Sequence, residues 1–309
     1  MRRWLVVGLL LAAVGTVLVV PRRVGTHDDG GWLAGGVAAR AATTGRQQRQ
    51  VEAYWTDERM RRARSVAGGA GAARSGPTAH GVAVSRAAAY AGQGLASRSI
   101  GRVFFSLGRQ NFGCSGTAVI SRNRSTVVTA AHCVNAGPGP FVRNWMFVPG
   151  YVNGRRPYGT WPARALYAPR AWVRSGRSDD DVGFAVVNRV HGRYLTDLVH
   201  GLALAFNRPR GPDIWAFGYP VTAPNSGRHA LYCAGRLRPD PYRTGAQGLQ
   251  CTLSAGASGG PWLVGFSPQT GSGVVYSVTS FTYQGMRGVV WGPYLGHTAA
   301  ATFAQAQSG

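Results

Sequence analysis

From about Ile100 onward the chain alternates short apolar runs with clusters of turn residues: "GRVFFSL", "GTAVIS", "STVVTAAH", "DVGFAVVN", "DIWAFGYP", "HALYCAG", "WLVGFS" and "VVYSVTSFTY". Valine, phenylalanine, tyrosine and threonine fill the runs; glycine, proline, asparagine and serine stand between them. Runs of this length and composition predict β-strands, and their succession predicts an all-β sandwich or barrel. One stretch, "YLTDLVHGLALAF", reads equally well as a helix or as a pair of strands, because its periodicity does not choose between them. No internal repeat is evident.

Upstream the pattern changes. Residues 1–20, "MRRWLVVGLLLAAVGTVLVV", place two arginines before an uncharged apolar run. Such a start predicts an export signal or a retained N-terminal membrane anchor, and either puts the bulk of the chain outside the cytoplasm. Residues 21–97 are rich in Ala, Gly and Arg, as in "GGWLAGGVAARAATTGRQQRQ" and "SVAGGAGAARSGPTAHG". They offer little apolar area for the entropy that ordering would cost, so they read as a pro-segment or linker. Within them "AYWTDERMRRARS" predicts a short helix, with Thr56 as N-cap and Asp57 and Glu58 in the first turn, where the helix dipole favours negative charge.

Length and composition narrow the possibilities. A chain of 309 residues with 45% hydrophobic content buries a real core and excludes disorder throughout. The net charge of +23 raises the question of nucleic acid. All 34 basic residues are arginine, however, and those after residue 96 (21, against six acids) are scattered without any nucleic-acid-binding motif. Nucleic acid is therefore not the expected partner, although the basic surface suits an anionic polymer, membrane or acidic substrate. The four cysteines, Cys114, Cys133, Cys233 and Cys251, allow three connectivities. Pairing of sequence neighbours is favoured, since each bridge would clip a short segment in an oxidising compartment. With no CxxC motif, no zinc site and no other metal or cofactor is expected.

The stretch "TLSAGASGGPWLV", residues 252–264, isolates the hydroxyl of Ser258 among small side chains. A tight turn would explain that, and so would a nucleophile. A nucleophilic serine needs a general base, and His132 in "STVVTAAHC" has the most telling context: the end of an apolar strand, fixed by the adjacent Cys133. The base in turn needs a carboxylate to set its tautomer. In "SDDDVGFAVV" only Asp181 directly precedes the strand, so it is expected to be partly buried against His132 while Asp179 and Asp180 face water.

"TAAHC", an aspartate opening an apolar strand, and "GASGGP", in the order His132, Asp181, Ser258, resemble the chymotrypsin-type (trypsin-like) serine peptidases, and "GYP" at Gly218–Pro220 with the sparse cysteines is most similar to their bacterial V8, glutamyl-endopeptidase-like branch. The resemblance spans roughly residues 98–300 and implies a peptidase domain over 98–309. It implies two six-stranded antiparallel β-barrels with the site in the cleft between them. It implies an exported serine endopeptidase acting through an acyl-enzyme on protein or peptide substrates, secreted or at the cell surface, and expected to work as a monomer. Gly256 and Ser258 would supply the amides of an oxyanion hole. Thr252 and Thr279 fall at positions that set substrate preference in such enzymes, and Ser280 on a strand that pairs with the substrate. Here an acid for Arg or Lys cleavage is replaced by Thr252 or Leu253, and a histidine for Glu cleavage by Thr279. Ala257 stands where animal members carry an aspartate that pairs with a newly freed N-terminus. Two rival readings use the same residues: a non-catalytic cell-surface binding module on this scaffold, and an esterase with the same triad.

Overall fold

A computed structural model describes residues 35–66 and 85–309. The expected signal or anchor at 1–20, and the parts of the expected pro-segment at 21–34 and 67–84, lie outside the described residues. The first half of the described fold contains β1 (Gly36–Arg40), α1 (Gly45–Tyr54), α2 (Asp57–Arg62), β2 (Ala88–Ala89), α3 (Leu95–Ser99), β3 (Ile100–Leu107), β4 (Gln110–Ala118), β5 (Thr126–Thr129), β6 (Arg143–Pro149), β7 (Trp161–Pro169), α4 (Arg170–Ser175) and β8 (Gly183–Val187). The second half contains α5 (Leu195–Val199), β9 (Ala203–Leu204), β10 (Asp213–Gly218), β11 (Leu231–Arg236), β12 (Arg238–Pro239), β13 (Gln247–Gln250), β14 (Pro261–Ser267), β15 (Ser272–Val278), β16 (Val289–Gly292) and α6 (His297–Ala306). The stretch from Tyr194 resolves into the single-turn helix α5 followed by the two-residue strand β9, not a pair of strands.

Strands β3 to β8 close into a six-stranded antiparallel barrel in the order β7-β6-β3-β4-β5-β8, with β7 also pairing β8. The second lobe divides its strands between a six-stranded sheet, β2-β11-β10-β14-β15-β9, and a three-stranded one, β12-β13-β16. β9 runs parallel to β15, which departs from the expected purely antiparallel lobe. The apolar runs read as continuous rather than alternating because both faces of these strands are covered. In β3, Val103 and Phe105 point into the barrel core with Trp145, Phe147 and Trp161, while Ile100 and Phe104 join a second core that also holds Phe217, Leu263 and Val275 of the other lobe. One strand thus serves two cores through the period-two direction of its side chains.

Residues 35–66, within the expected pro-segment or linker, carry ordered elements. β1 adds to the barrel along β7, pairing Gly36 with Pro169 through Arg40 with Ala165. Thr44 caps α1 in a capping box with Gln47. The expected helix is α2, and Thr56 caps it as expected by accepting from the Arg59 amide. Between the helices Trp55 is 1% exposed, packs on Phe104 with ring centroids 5.5 Å apart, and donates from Nε1 to the Asn144 carbonyl at 2.6 Å. Three large apolar side chains, Val51, Trp55 and Met60, hold a segment that its average composition would leave loose. From the other end of the chain, α6 packs Phe303 against Phe184 of β8 at 5.4 Å, and its Gln305 side chain accepts from the Gly36 amide of β1 at 2.8 Å. The neighbour pairing of the cysteines holds: Cys114 is bonded to Cys133 and Cys233 to Cys251.

If residues 35–66 are part of the cooperative fold, Trp55→Ala is expected to destabilise it by about 3–5 kcal/mol, the cost of emptying a large buried aromatic site. Urea unfolding followed by far-UV circular dichroism measures this, and a variant with an unchanged midpoint would mean the segment is an appendage.

Candidate active site

His132 sits in a single 3-10 turn, Ala131–Cys133, at the end of β5, where the bridge from Cys133 to Cys114 of β4 pins the next residue. Asp181 ends the turn Ser178–Asp180 immediately before β8. Because β5 and β8 are neighbours in the barrel, the two residues meet: Asp181 Oδ2 lies 2.7 Å from His132 Nδ1, and Oδ1 accepts from the His132 amide at 2.9 Å. The Ser280 hydroxyl, from the other lobe, donates to Oδ2 as well. Asp181 is 1% exposed, and burial alone would push its carboxyl up. The His132 ring, the Ser280 hydroxyl and the His132 amide outweigh that cost and hold it below the ordinary carboxylate range. A carboxylate on Nδ1 places the ring proton there and leaves Nε2 as an acceptor. Nε2 is buried and has no hydrogen-bond partner.

Ser258 lies in the loop between β13 and β14 and is brought to this pair by its backbone. Its carbonyl accepts from the Ser115 amide at 2.7 Å and lies 3.9 Å from Cys133 Sγ. Ser115 links the lobes further: its hydroxyl donates to the Gly256 carbonyl and accepts from the Tyr219 amide, both at 2.9 Å, while its carbonyl accepts from the Thr129 hydroxyl at 2.8 Å. Gly259 stands where the lobes touch; at φ +78°, a β-carbon there would come within 2.1 Å of Thr129 Oγ1 and 2.5 Å of the Ser115 carbonyl. Gly256, at φ +97°, leaves equally little room, 2.8 Å from the Tyr219 carbonyl. Tied in this way, the loop turns the Ala257 amide onto the Ser254 carbonyl, while the amides of Gly256 and Ser258 donate to no group among the described residues.

The chain is 42% identical to the protease Anisep from Arthrobacter nicotinovorans, covering 69% of this chain and 96% of that one with a TM-score of 0.66. It is 37% identical to the thermostable serine protease AL20 from an extremophilic microorganism, over 69% and 98% of the two chains, with a TM-score of 0.65. The chain belongs to the chymotrypsin-type serine proteases. A Glu endopeptidase shares the fold at 18% identity, with a TM-score of 0.56 over 69% of this chain and 92% of that one. Among curated proteins, 77 residues are 32% identical to the "Extracellular metalloprotease" of Bacillus subtilis (strain 168), a match spanning 25% of this chain and 24% of that protein. No family model matches the chain.

Of the residues expected at the site, His132 and Asp181 come together, and Ser258 is tied by its backbone to the strands that carry them. The others make different contacts from those expected. The Ser280 hydroxyl is engaged by Asp181, so Ser280 positions that carboxylate, and it lies two residues beyond the end of β15 rather than on the expected strand. Thr279 accepts from Trp262 Nε1 at 3.0 Å, and Thr252 accepts from the Ala87 amide at 2.7 Å. Asp179 and Asp180 do not simply face water: Asp179 accepts from the Gly245 amide at 2.7 Å, and burial pushes the half-buried Asp180 carboxyl up. Ser115 was not singled out by the sequence, although it follows Cys114 directly. Cys114, His132 and Cys133 lie close enough to suggest metal ligands, but the two sulfurs are bonded to each other and offer no thiolate.

Because the folded-state carboxyl of Asp181 sits below its unfolded value of about 3.9, its contribution to stability is complete above about pH 4 and is lost as pH falls through the folded-state value. Asp181→Asn is expected to lose less stability than the parent as pH falls from about 4 towards about 2. Urea midpoints across that range decide it; parallel curves for the two proteins would remove Asp181 from the acid response.

Proposed function

We propose that the chain is an exported serine endopeptidase that cleaves peptide bonds through Ser258, His132 and Asp181. The observation that carries this reading is the buried His132–Asp181 pair, which leaves Nε2 of the ring without a hydrogen-bond partner among the described residues. His132 Nε2 takes the proton of the Ser258 hydroxyl as Oγ attacks the substrate carbonyl, and Asp181 stabilises the imidazolium that forms. The Gly256 and Ser258 amides receive the developing oxyanion. His132 then passes its proton to the leaving amine, and the acyl-enzyme on Ser258 is hydrolysed by a water that His132 deprotonates. All three residues come from one chain, which suits a monomer.

Thr252 and Thr279, the positions expected to set substrate preference, carry no charge that would select a charged residue. Thr252 and Thr279 both spend their hydroxyls on the protein itself, so cleavage after Arg, Lys or Glu has no support from them. Residues 98–309 form the peptidase domain, and residues 21–97 serve as pro-segment or spacer. Ala257 offers no carboxylate to a freed N-terminus, so activation does not pass through such an ion pair. Two disulfides suit an oxidising, extracytoplasmic compartment. Among the described residues no helix is long and apolar enough to cross a membrane.

Ser258→Ala and His132→Ala are each expected to lower peptide turnover by about a millionfold, and the double variant to be little worse than either, because the groups act as a unit. Asp181→Asn is expected to cost about 10⁴ while the fold persists. A fluorophosphonate probe should label Ser258 in the parent and nothing in Ser258→Ala; a folded parent that resists labelling would leave the scaffold a binding module.

A further inference from the structure

Arg102 is the one fully buried arginine among the described residues, at 2% exposure. On β3 it shares the face of Phe104, and its guanidinium lies 4.5 Å from the centre of that ring and 5.2 Å from that of Tyr151. Its Nε has no hydrogen-bond partner, and none of the ion pairs among the described residues includes it. Burial lowers its pKa, offset only by the nearby Tyr151 and Tyr219 hydroxyls. A buried cation without a counter-charge costs several kcal/mol, which the aromatic faces and the tyrosine hydroxyls recover only in part.

The guanidinium lines a cavity of about 280 Å³ between α2, Tyr151 to Gly154 and the loop after β10. Two more arginines, Arg61 and Arg228, flank it with exposed side chains, and Asn153 and Ser226 add polar groups. The one acid in the lining, Asp57, is already paired with Arg156. A glycine at 227 makes room for the guanidinium, since a β-carbon there would lie 2.8 Å from Arg102 Cζ. The space exceeds several waters at about 30 Å³ each. We propose that this cavity binds a small inorganic oxyanion of the phosphate or sulfate class, held by Arg102 together with Arg61 and Arg228. Three arginines from separate chain segments around one cavity suit an anion with several acceptor oxygens. The site is distinct from Ser258, His132 and Asp181 and does not depend on their proposed chemistry.

Thermal unfolding of the full chain tests the site, with inorganic phosphate compared against potassium chloride at equal ionic strength. At ten times its dissociation constant, phosphate is expected to raise the midpoint by about 3–6 °C over chloride. Arg102→Met is expected to abolish the rise. Should that variant fail to fold, Arg61→Ala combined with Arg228→Ala, both at exposed positions, is expected to weaken phosphate binding by about tenfold or more in isothermal titration. Equal midpoints in phosphate and chloride, an unchanged phosphate response in the double variant, or a response to acetate without one to phosphate would each overturn the proposal.

Discussion

Asp181 is an ionised carboxylate removed from water inside a β-structure, and much of the site is arranged to keep it so. Burial favours its neutral form, which would accept a weaker bond from His132 and leave the ring free to turn. Three donors oppose this: the amide and ring of His132, and the hydroxyl of Ser280. The first two come from the closed barrel and the third from the other lobe. The charge therefore fastens the lobes to each other at the same time as it orients the imidazole.

The seam between the lobes is otherwise made of backbone and small side chains. Ser115 accepts and donates across it through its hydroxyl and donates through its amide, and Gly259 passes where no β-carbon fits. Such close contact leaves the loop that carries Ser258 few alternative conformations. The amides of Gly256 and Ser258 are left unspent because the neighbouring carbonyls and the Ala257 amide are already committed. Preorganised donors of this kind need no rearrangement when charge develops before them.

The sequence made the strands, the cysteine pairs and the His132–Asp181 contact legible, because each rests on a local pattern: apolar runs between turns, residues near in sequence, an acid directly ahead of a strand. It concealed what depends on distant partners. Nothing around Ser280 or Ser115 announces that one reaches Asp181 and the other crosses the seam. The order of residues 36–62 is not legible in their average composition, because burial is decided by a few side chains such as Trp55 and Met60. A local signal was present even there, since Thr44 and Gln47 have the spacing of a capping box. Arg102 was hidden for the same reason: its alternation with Val103 shows which face it takes, but only the packing of α2 and the loop after β10 shows that this face is closed.

The ladder between β1 and β7, with α6 lying against both, gives the barrel a clasp made from opposite ends of the described chain. A proteolytic cut between residues 66 and 85 would sever the covalent link without undoing that clasp. The product would be a nicked, two-chain molecule in which the shorter fragment stays docked, and release of the fragment would require the barrel edge itself to open. A band lost from a denaturing gel would then say nothing about whether the segment had left the protein.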